Sequence, residues 1–407
     1  MVNITINGKP MQAEEGTTIL SAASAAKMPV PSLCYLKDIN EIGACRVCVV
    51  EIKGVSRLVT ACNNVVQEGM EILTNSPRVR EARRTNVELI LSQHNSSCTS
   101  CVRGGNCSLQ RIANDLGIYA SEYKKDIPKR QWPIEFPLIR DASRCIKCMR
   151  CVQICDKVQD LHIWDIVKTG SRATVGVTHN LQIIQSDCAI CGQCLTHCPT
   201  GALRERDDTL QLLSMQGAFA DPDKVTIVQV APAVRSAWAE ELGLDREEAT
   251  PGRLVAALKA LGFDYVFDTD FGADLTIMEE GSEFLERMRH REDYTFPMFT
   301  SCCPGWVRFL KSQYPEMIGQ LSTAKSPHQM QGAVTKTYLA EKFGLDPDRV
   351  YNVSVMPCIA KKKEAEIPNI NDSGHGRDVD LVLTTREIAR MIRADHLDVK
   401  HLPEEEF

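Results

Sequence analysis

The sequence predicts an α+β chain of several domains, in which small cysteine-rich domains precede a larger α/β domain. Three observations carry this prediction. Eighteen cysteines occur among 407 residues, and most stand in runs of fixed spacing. β-type segments with one short helical stretch fill roughly the first 75 residues. From about residue 209 cysteines become sparse and strand-like runs alternate with helical ones, which is typical of a mainly parallel sheet.

The first cysteine group reads Cys34-x10-Cys45-x2-Cys48-x13-Cys62. The segments predicted around it are strands at Val2–Ile6, Arg46–Ile52, Arg57–Thr60 and Met70–Leu73 and a helix at Thr18–Ala26. Four thiolates on a small mixed sheet suit a [2Fe–2S] cluster, and Gly43 gives the backbone room to curl beside inorganic sulfide. A buried apolar cysteine is the alternative for Cys62 taken alone.

A predicted helix begins with Ser76 as N-cap and Pro77 at the first helical position and runs to His94. It leads into His94-x3-Cys98-x2-Cys101-x5-Cys107. Three cysteines lack a fourth, and an imidazole can replace a thiolate on an iron. We therefore predict that His94 completes a cluster site, against the alternative of a helix cap or surface residue.

Two longer runs follow, separated by a 32-residue insertion. The cysteines concerned are Cys145, Cys148, Cys151 and Cys155, then Cys188, Cys191, Cys194 and Cys198. Three cysteines at every third position hold one cube, while the fourth ligates the neighbouring cube. We expect Cys198 to join the first three of the first run, and Cys155 to join the first three of the second. Structural zinc is the alternative, but zinc sites do not need a third cysteine in register.

The insertion is predicted to form a hairpin over the clusters, with strand-like segments at Leu161–Ile166, Ala173–Thr178 and Leu181–Ile184. In the α/β part the predicted strands are Val225–Pro232, Pro297–Ser301, Val350–Met356 and Asp380–Leu383. The predicted helices are Thr250–Leu261, Lys325–Lys342 and Thr385–Ala394. Two motifs fall at strand ends, where parallel sheets bind ligands: TSCCPGW at Thr300–Trp306 and MPCIAKKKE at Met356–Glu364.

Composition excludes several classes of protein. A net charge of −6 argues against nucleic acid as a partner. No apolar run approaches the roughly 20 residues of a membrane span, and Met1–Gly8 lacks the features of a signal peptide. Dense cysteine without an export signal indicates metal ligation in a reducing cytoplasm.

In this order, the motifs closely resemble those of the iron-only ([FeFe]) hydrogenases, over the whole chain. The N-terminal part also resembles the large iron–sulfur subunit of NADH dehydrogenases. The resemblance implies four domains: a β-grasp [2Fe–2S] ferredoxin domain at 1–76, a histidine-plus-three-cysteine [4Fe–4S] domain at 77–124, a two-[4Fe–4S] ferredoxin domain at 125–208, and an incomplete α/β H-cluster domain at 209–407.

The same resemblance assigns roles around the H-cluster, a [4Fe–4S] cube joined to a two-iron unit with CO and CN⁻ ligands. Cys303 and Cys358 match cube ligands, and Cys302 matches the thiol that passes protons. Lys361 would donate to a cyanide ligand, and the backbone of Ala231–Pro232 would line the cavity.

A proton path is implied as well. Glu280, Glu283 and Arg287 stand at i, i+3 and i+7 of one predicted helix and share a face. Spacing alone favours an ordinary solvated face with weak ion pairs. The resemblance makes Glu280 and Glu283 relay carboxylates, with Arg287 at the entrance and Ser322 as a link towards Cys302.

The family supplies two further cube cysteines from a Gly-rich motif beyond the second motif, and the chain ends at Phe407 without it. We therefore expect a fragment of a longer hydrogenase that is inactive alone; a truncated electron carrier is the alternative. The expected function is interconversion of H₂ with protons and electrons, fed through one [2Fe–2S] and three [4Fe–4S] clusters from ferredoxin or an NAD(P)H-oxidising flavoprotein.

Two other functions compete with this one. An electron-transfer subunit of an NADH dehydrogenase-type complex leaves Thr300–Trp306 and Met356–Glu364 unexplained. A non-catalytic cluster-assembly relative would normally lack the N-terminal four-cysteine domain.

Overall fold

The computed structural model describes residues 1–120, 122–127 and 129–407, and for Ser171 the backbone alone. The chain divides into two compact units, and each mixes helices with strands. The first unit comprises Met1–Ile134, Leu138–Ser186 and Gln193–Arg204. The second comprises Glu135–Pro137, Asp187–Gly192 and Glu205–Phe407.

The first unit carries nine short strands and five helices among its described residues. The strands are β1 (Val2–Ile6), β2 (Lys9–Ala13), β3 (Val49–Ile52), β4 (Val59–Thr60), β5 (Glu71–Leu73), β6 (Leu138–Arg140), β7 (Trp164–Val167), β8 (Thr174–Val177) and β9 (Leu203–Glu205). The last residue of β9, Glu205, belongs to the second unit. The helices are α1 (Ile19–Ala25), α2 (Pro77–Ser92), α3 (Ser108–Asp115), α4 (Arg150–Lys157) and α5 (Gln193–Thr196).

The N-terminal sheet has the order β2-β1-β5-β3-β4. It is mixed, as predicted, because β1 runs antiparallel to β2 and parallel to β5. Alternate residues Ile4 and Ile6 of β1 pack with Ile19 of α1 and Ile72 of β5 in one buried core. Strand β2 was not predicted, because KPMQA buries only its last residue and has no apolar alternation.

Helix α2 begins as the sequence predicts. The Ser76 hydroxyl accepts a hydrogen bond from Val79 N at 3.3 Å, and Pro77 occupies the first helical position. The helix ends at Ser92, so His94 follows it rather than closing it. From this helix the buried Arg83 donates to the carbonyl oxygens of Val47, Val49 and Thr74, at 3.0, 3.1 and 3.1 Å.

The predicted hairpin exists as the antiparallel pair β7 and β8. Its predicted third strand, Leu181–Ile184, is wrong, because Ile183–Gln185 forms a turn of 3₁₀ helix instead. Gln182 and Gln185 cap this turn reciprocally, and Ile183 is buried beneath it. The hydrogen bonds of the capping side chains therefore favour the 3₁₀ turn over the strand that the alternating pattern predicts.

The second unit is built on a four-stranded sheet whose strands are β10 (Val225–Val230), β11 (Tyr265–Asp268), β12 (Val350–Met356) and β13 (Leu381–Thr384). Its helices are α6 (Leu210–Leu213), α7 (Pro232–Ala237), α8 (Pro251–Ala260), α9 (Asp270–Arg289), α10 (Pro304–Gln313), α11 (Pro327–Val334), α12 (Ala340–Phe343), α13 (Ala360–Glu364) and α14 (Thr385–Ala394). The order is β11-β10-β12-β13, and all pairings are parallel. Because the chain reverses direction across the sheet after β11, the carboxyl ends of β10 and β12 flank a topological switch point.

Apolar runs in β10, β12 and β13 place Val228, Val353 and Leu383 in a core that also contains Leu254 of α8 and Ile388 of α14. Such continuous apolar strands are covered on both faces, as expected for a parallel sheet. Among the residues described, none of the helices is long and apolar enough to cross a membrane.

Two predictions for this unit need correction, and one strand was missed. Pro297–Ser301 is not a strand, because Phe299 makes only one isolated parallel bridge, with Leu321. The predicted helix Lys325–Lys342 is divided into α11, a π-helical turn at Thr335–Leu339, and α12. Strand β11 was not predicted, although four of its residues pair with β10.

Helices α9 and α11 approach closely at Gly272. A Cβ atom built there would lie 2.3 Å from the carbonyl oxygen of Pro327 and 2.9 Å from Gln331 Cβ. Glycine is therefore required at this crossing for steric reasons.

Candidate metal centres and active site

The four N-terminal cysteines converge and are all buried. Cys34 Sγ accepts hydrogen bonds from the thiols of Cys45 and Cys62, and these hold the pKa of Cys34 far below its ordinary value. Cys62 also donates to Cys48, which lowers the pKa of Cys48 to about 7 against the effect of burial. Four sulfurs within reach of one another in a dry pocket fit a [2Fe–2S] cluster.

The predicted histidine site lies in a cavity of about 310 Å³ lined by His94, Cys98 and Cys107. His94 is 6% exposed, and its Nδ1 atom has no hydrogen-bond partner among the described residues. Burial, together with the nearby charge of Arg144, lowers the pKa of His94 to about 4. A neutral imidazole with a buried, unpartnered nitrogen fits an iron ligand.

The structure places Cys101 beside Gly201, since a Cβ on Gly201 would lie 2.5 Å from Cys101 Sγ. Cys101 does not line the cavity that contains His94.

Cys145, Cys148, Cys151 and Cys198 line one cavity, together with Trp164 and Val175 of the β7–β8 hairpin. The structure thus brings together the four cysteines that the sequence grouped on one cube. Burial raises the pKa of the Cys148 thiol to about 12. Lys147 and Met149 adopt positive φ values of 56° and 67°, so the loop curls around the cavity.

The four cysteines proposed for the second cube are divided between the two units. Cys155 and Cys194 belong to the first unit, whereas Cys188 and Cys191 belong to the second. Their grouping stays a prediction. Within the second unit, Arg308 Nε of α10 donates to the Cys188 carbonyl at 2.9 Å.

The hydrogenase motifs lie at the switch point of the second sheet. Ala231 follows β10, is buried, and forms the N-cap of α7, while Pro232 is the first residue of that helix and is exposed. Ala231 N donates to Val355 O of β12 at 3.1 Å, so the two strand ends stay adjacent. Cys358 follows β12 after a single intervening proline.

Cys303 and Cys358 lie near enough for the charge of one to affect the other. Cys303 is the N-cap of α10, and its Sγ accepts a hydrogen bond from Trp306 N at 3.4 Å. Burial raises the pKa of the Cys358 thiol; the N–H groups of Ala360 and Lys361 oppose this rise, and the charge of Cys303 adds to it. Two convergent thiols with amide donors fit two ligands of a cube.

Lys361 lies directly beside the first cysteine of the pair. Its Nζ donates to the backbone oxygen of Cys302 at 2.8 Å and to Glu364 Oε2 at 2.7 Å. Cys302 itself is exposed.

A buried side-chain network behind Lys361 was missed by sequence reasoning. His328 Nε2 lies 2.7 Å from Glu364 Oε2, and His328 Nδ1 lies 3.1 Å from Ser354 Oγ. Burial and the charge of Lys361 lower the pKa of His328, while the contact with Glu364 opposes this lowering. Burial opposes ionisation of Glu364, yet His328 and Lys361 outweigh it and lower the Glu364 pKa to about 2. The i, i+3 spacing of Lys361 and Glu364 was the available signal.

The predicted proton-path residues come together on one face of α9. Glu280 Oε1 accepts from Ser301 N at 3.3 Å, one residue before Cys302. Ser322 Oγ donates to Glu283 Oε2 at 2.7 Å. Burial opposes ionisation of Glu283, but hydrogen bonds from Ser322, Arg287 and the Thr323 amide hold its pKa below the ordinary value.

The position expected for Arg287 was wrong. Its side chain is 6% exposed, so it does not stand at a solvent entrance. Its guanidinium donates to Glu283 at 2.6 Å and caps the carbonyl oxygens of Leu321 and Gly319, at 2.8 and 3.3 Å. Buried carbonyls need hydrogen-bond donors, and the Arg287 guanidinium supplies them to these two.

Family models match four stretches of the chain. Residues 224–407 match the iron only hydrogenase large subunit, C-terminal domain, and residues 1–77 match a 2Fe-2S iron-sulfur cluster binding domain. Residues 83–122 match the NADH-ubiquinone oxidoreductase-G iron-sulfur binding region, and 144–202 match a 4Fe-4S dicluster domain.

The chain is 45% identical to the NADP-reducing hydrogenase subunit HndD of Solidesulfovibrio fructosivorans, over its whole length and 71% of that protein. It belongs to the iron hydrogenase family. It is also 37% identical to iron hydrogenase 1 of Clostridium pasteurianum, covering 97% of this chain and 68% of that hydrogenase.

Among solved structures, a variant of apo [FeFe]-hydrogenase HydA1 from Chlamydomonas reinhardtii is 47% identical with a TM-score of 0.44. The match covers 47% of this chain and 50% of that hydrogenase chain, so the chain spans about half of its length.

Proposed function

We propose that the protein is the catalytic subunit of an [FeFe]-hydrogenase, which interconverts H₂ with two protons and two electrons. One observation carries this proposal: Cys303, Cys358 and the Lys361–Cys302 contact lie together beyond the switch point of a parallel sheet. This is where such sheets bind ligands. The family membership of the chain supports the same reading.

The proposed cofactors are one [2Fe–2S] cluster, three accessory [4Fe–4S] clusters and the H-cluster. They would occupy four domains with the boundaries 1–76, 77–124, 125–208 and 209–407, the first a β-grasp domain. The proposed accessory ligands are Cys34, Cys45, Cys48, Cys62, His94, Cys98, Cys101, Cys107 and the eight cysteines from Cys145 to Cys198. Cys303 and Cys358 would be H-cluster ligands.

The H-cluster, when bound, supplies the H₂ chemistry. Around it, Lys361 presents a buried positive charge whose position Glu364 and His328 fix. The Cys302 thiol would hold or release a proton, on the residue whose backbone oxygen Lys361 contacts. The backbone of Ala231–Pro232 would line the site from the neighbouring strand end. Together these groups would orient the cluster.

Protons would move between Cys302 and the surface by way of Glu280, Ser322 and Glu283. The Ser322–Glu283 link is a direct hydrogen bond of 2.7 Å, and Glu280 reaches the backbone adjoining Cys302. Proton transfer needs contacts of about 2.6–3.2 Å or one bridging water. The Ser322–Glu283 bond meets this requirement directly, whereas the step from Glu280 to Cys302 would need a bridging water. Arg287 holds the Glu283 carboxylate in place rather than admitting protons.

The proposed electron partner is an NAD(P)H-oxidising flavoprotein subunit, with ferredoxin as the other candidate. Similarity to an NADP-reducing hydrogenase subunit favours the first. An electron-transfer subunit without hydrogenase activity is the second candidate function, favoured by the match of residues 83–122 to the NADH-ubiquinone oxidoreductase-G region.

Anaerobic infrared spectroscopy separates these functions, because bound CO and CN⁻ absorb where protein does not. The protein is produced with hydrogenase maturation factors, both as this chain and extended at its carboxyl end to the length of its relatives. We expect CO and CN⁻ bands in the extended form and their loss in Cys358→Ser. The exposed Lys363→Ala variant serves as the matched control and keeps the bands. If neither form shows CO or CN⁻ bands, the protein is an electron carrier without hydrogenase activity.

A further inference from the structure

Asn40 joins two cysteine-bearing loops inside the first unit. Its side-chain Nδ2 donates one hydrogen bond to the Cys34 carbonyl at 2.7 Å and another to the Cys148 carbonyl at 2.9 Å. The residue is 0% exposed. One buried amide thus connects the backbone of its own loop with that of a residue 108 positions away in sequence.

The position of Asn40 is fixed by its own backbone. Leu36 and Asn40 form an isolated antiparallel bridge, in which Leu36 N donates to Asn40 O at 3.1 Å and Asn40 N donates to Leu36 O at 2.7 Å. Arg150 adds two bonds from the other loop, to the carbonyls of Cys34 and Tyr35 at 3.2 and 2.7 Å. Neither loop can therefore shift without breaking several hydrogen bonds, of which the two from Asn40 are buried.

The surroundings of this contact are apolar. Cys34 and Cys148 belong to one buried hydrophobic cluster that also includes Leu33 and Val87. Asn40 Oδ1 has no hydrogen-bond partner among the described residues. A buried unpaired acceptor costs about 1–3 kcal/mol, which is comparable with what two ordinary hydrogen bonds contribute. The unpaired Oδ1 therefore offsets much of what the two donated hydrogen bonds contribute to stability.

We propose that Asn40 is a positioning residue for electron exchange between the cluster bound by Cys34 and the cluster bound by Cys148. The proposal rests on the cluster ligands assigned under the proposed function. The two N–H groups of one amide give a short hydrogen-bonded connection between the two ligand backbones. One electron passes along it, so that a reduced [2Fe–2S]⁺ cluster becomes [2Fe–2S]²⁺ and a [4Fe–4S]²⁺ cluster becomes [4Fe–4S]⁺, with no proton transferred.

The test compares Asn40→Leu, which keeps the shape but removes both donors, with Lys157→Met. Lys157 Nζ joins the same two segments, but it reaches the carbonyl of Ile39 at 2.8 Å, and Ile39 is not a cysteine. The reconstituted full chain is reduced by a flash of light with a deazaflavin and a sacrificial donor. Freeze-quench electron paramagnetic resonance then follows the transfer of the electron from the [2Fe–2S] signal to the [4Fe–4S] signal.

We expect Asn40→Leu to slow this transfer severalfold with an unchanged cluster content, and Lys157→Met to transfer at the parental rate. An unchanged rate in Asn40→Leu overturns the proposal, and so does equal slowing in Lys157→Met, which would indicate general loosening. If Asn40→Leu does not fold, Asn40→Ser, which cannot span both carbonyls, is measured against the same criteria. Mössbauer spectra of the parent chain distinguish the two proposals, because absence of a [2Fe–2S] component would refute the ligand assignment itself.

Discussion

Two sets of polar side chains, one from each unit, are bonded in different ways. In the first unit, Arg83 and Asn40 donate to backbone carbonyls next to the cysteine loops. In the second, the pairs Ser322–Glu283 and His328–Glu364 bond side chain to side chain, although Arg287 beside them also donates to backbone carbonyls. Backbone contacts hold loops rigid, which suits groups that exchange only electrons. Side-chain contacts between titratable groups can also carry or position protons, which suits a site that makes or consumes H₂.

The largest effect is expected at Cys302, whose backbone oxygen accepts a hydrogen bond from Lys361. Cys302→Ala in the extended protein should lower turnover by about 10²–10⁴-fold, because a proton-transferring group is lost. Iron content and CO bands should stay at parental levels. If the iron content fell as well, Cys302 would be a cluster ligand, as the cysteines of the first unit are proposed to be.

On the electron-transfer side, His94→Ala should remove or shift one [4Fe–4S] signal in low-temperature electron paramagnetic resonance, since the cavity retains only cysteines as ligands. His94→Cys should restore a cluster with a different spectrum. The exposed His179 gives a matched control, because its replacement by alanine should leave the spectrum unaltered. If His94→Ala also leaves the spectrum unaltered, His94 is not a cluster ligand.

The Glu364 carboxylate should stabilise the second unit in a pH-dependent way. Its pKa is lowered to about 2, so its contribution is present above its ordinary pKa of 4.5 and is lost as the pH falls towards 2. Glu364→Gln should lower the free energy of unfolding at pH 7 by a few kcal/mol, because Lys361 loses its charge partner.

Denaturant unfolding of the parent chain and of Glu364→Gln at several pH values checks this expectation, with the exposed Glu341→Gln as control. The difference between parent and Glu364→Gln should shrink as the pH falls below about 4.5. A difference that stays constant with pH would show that Glu364 acts by packing rather than by charge.

The smallest effect is expected along α9. Glu283→Gln should reduce turnover by about tenfold, since an amide cannot relay protons as a carboxylate does. Glu286→Gln lies on the same helix with an exposed side chain and should have no effect. Equal activities in the two variants would show that Glu283 is not on the proton path. The side-chain bonds of the second unit would then have no demonstrated role in proton transfer.

The sequence predicted the features that depend on local spacing. The grouping of Cys145, Cys148, Cys151 and Cys198 followed from the three-residue repeat, and strand β12 and helix α14 followed from apolar pattern and capping. What it missed depends on tertiary contacts. His328 joins Glu364 only after α11 and α13 have packed, and Arg287 turns inwards only because the carbonyls of Leu321 and Gly319 are nearby.

The close approach at Gly272 sets the geometry of the carboxylates farther along α9. A helix rises about 1.5 Å per residue, so Glu280 and Glu283 lie roughly 12 and 17 Å along the axis from this crossing. A residue without a side chain thus permits the close contact that holds the helix carrying both carboxylates against α11.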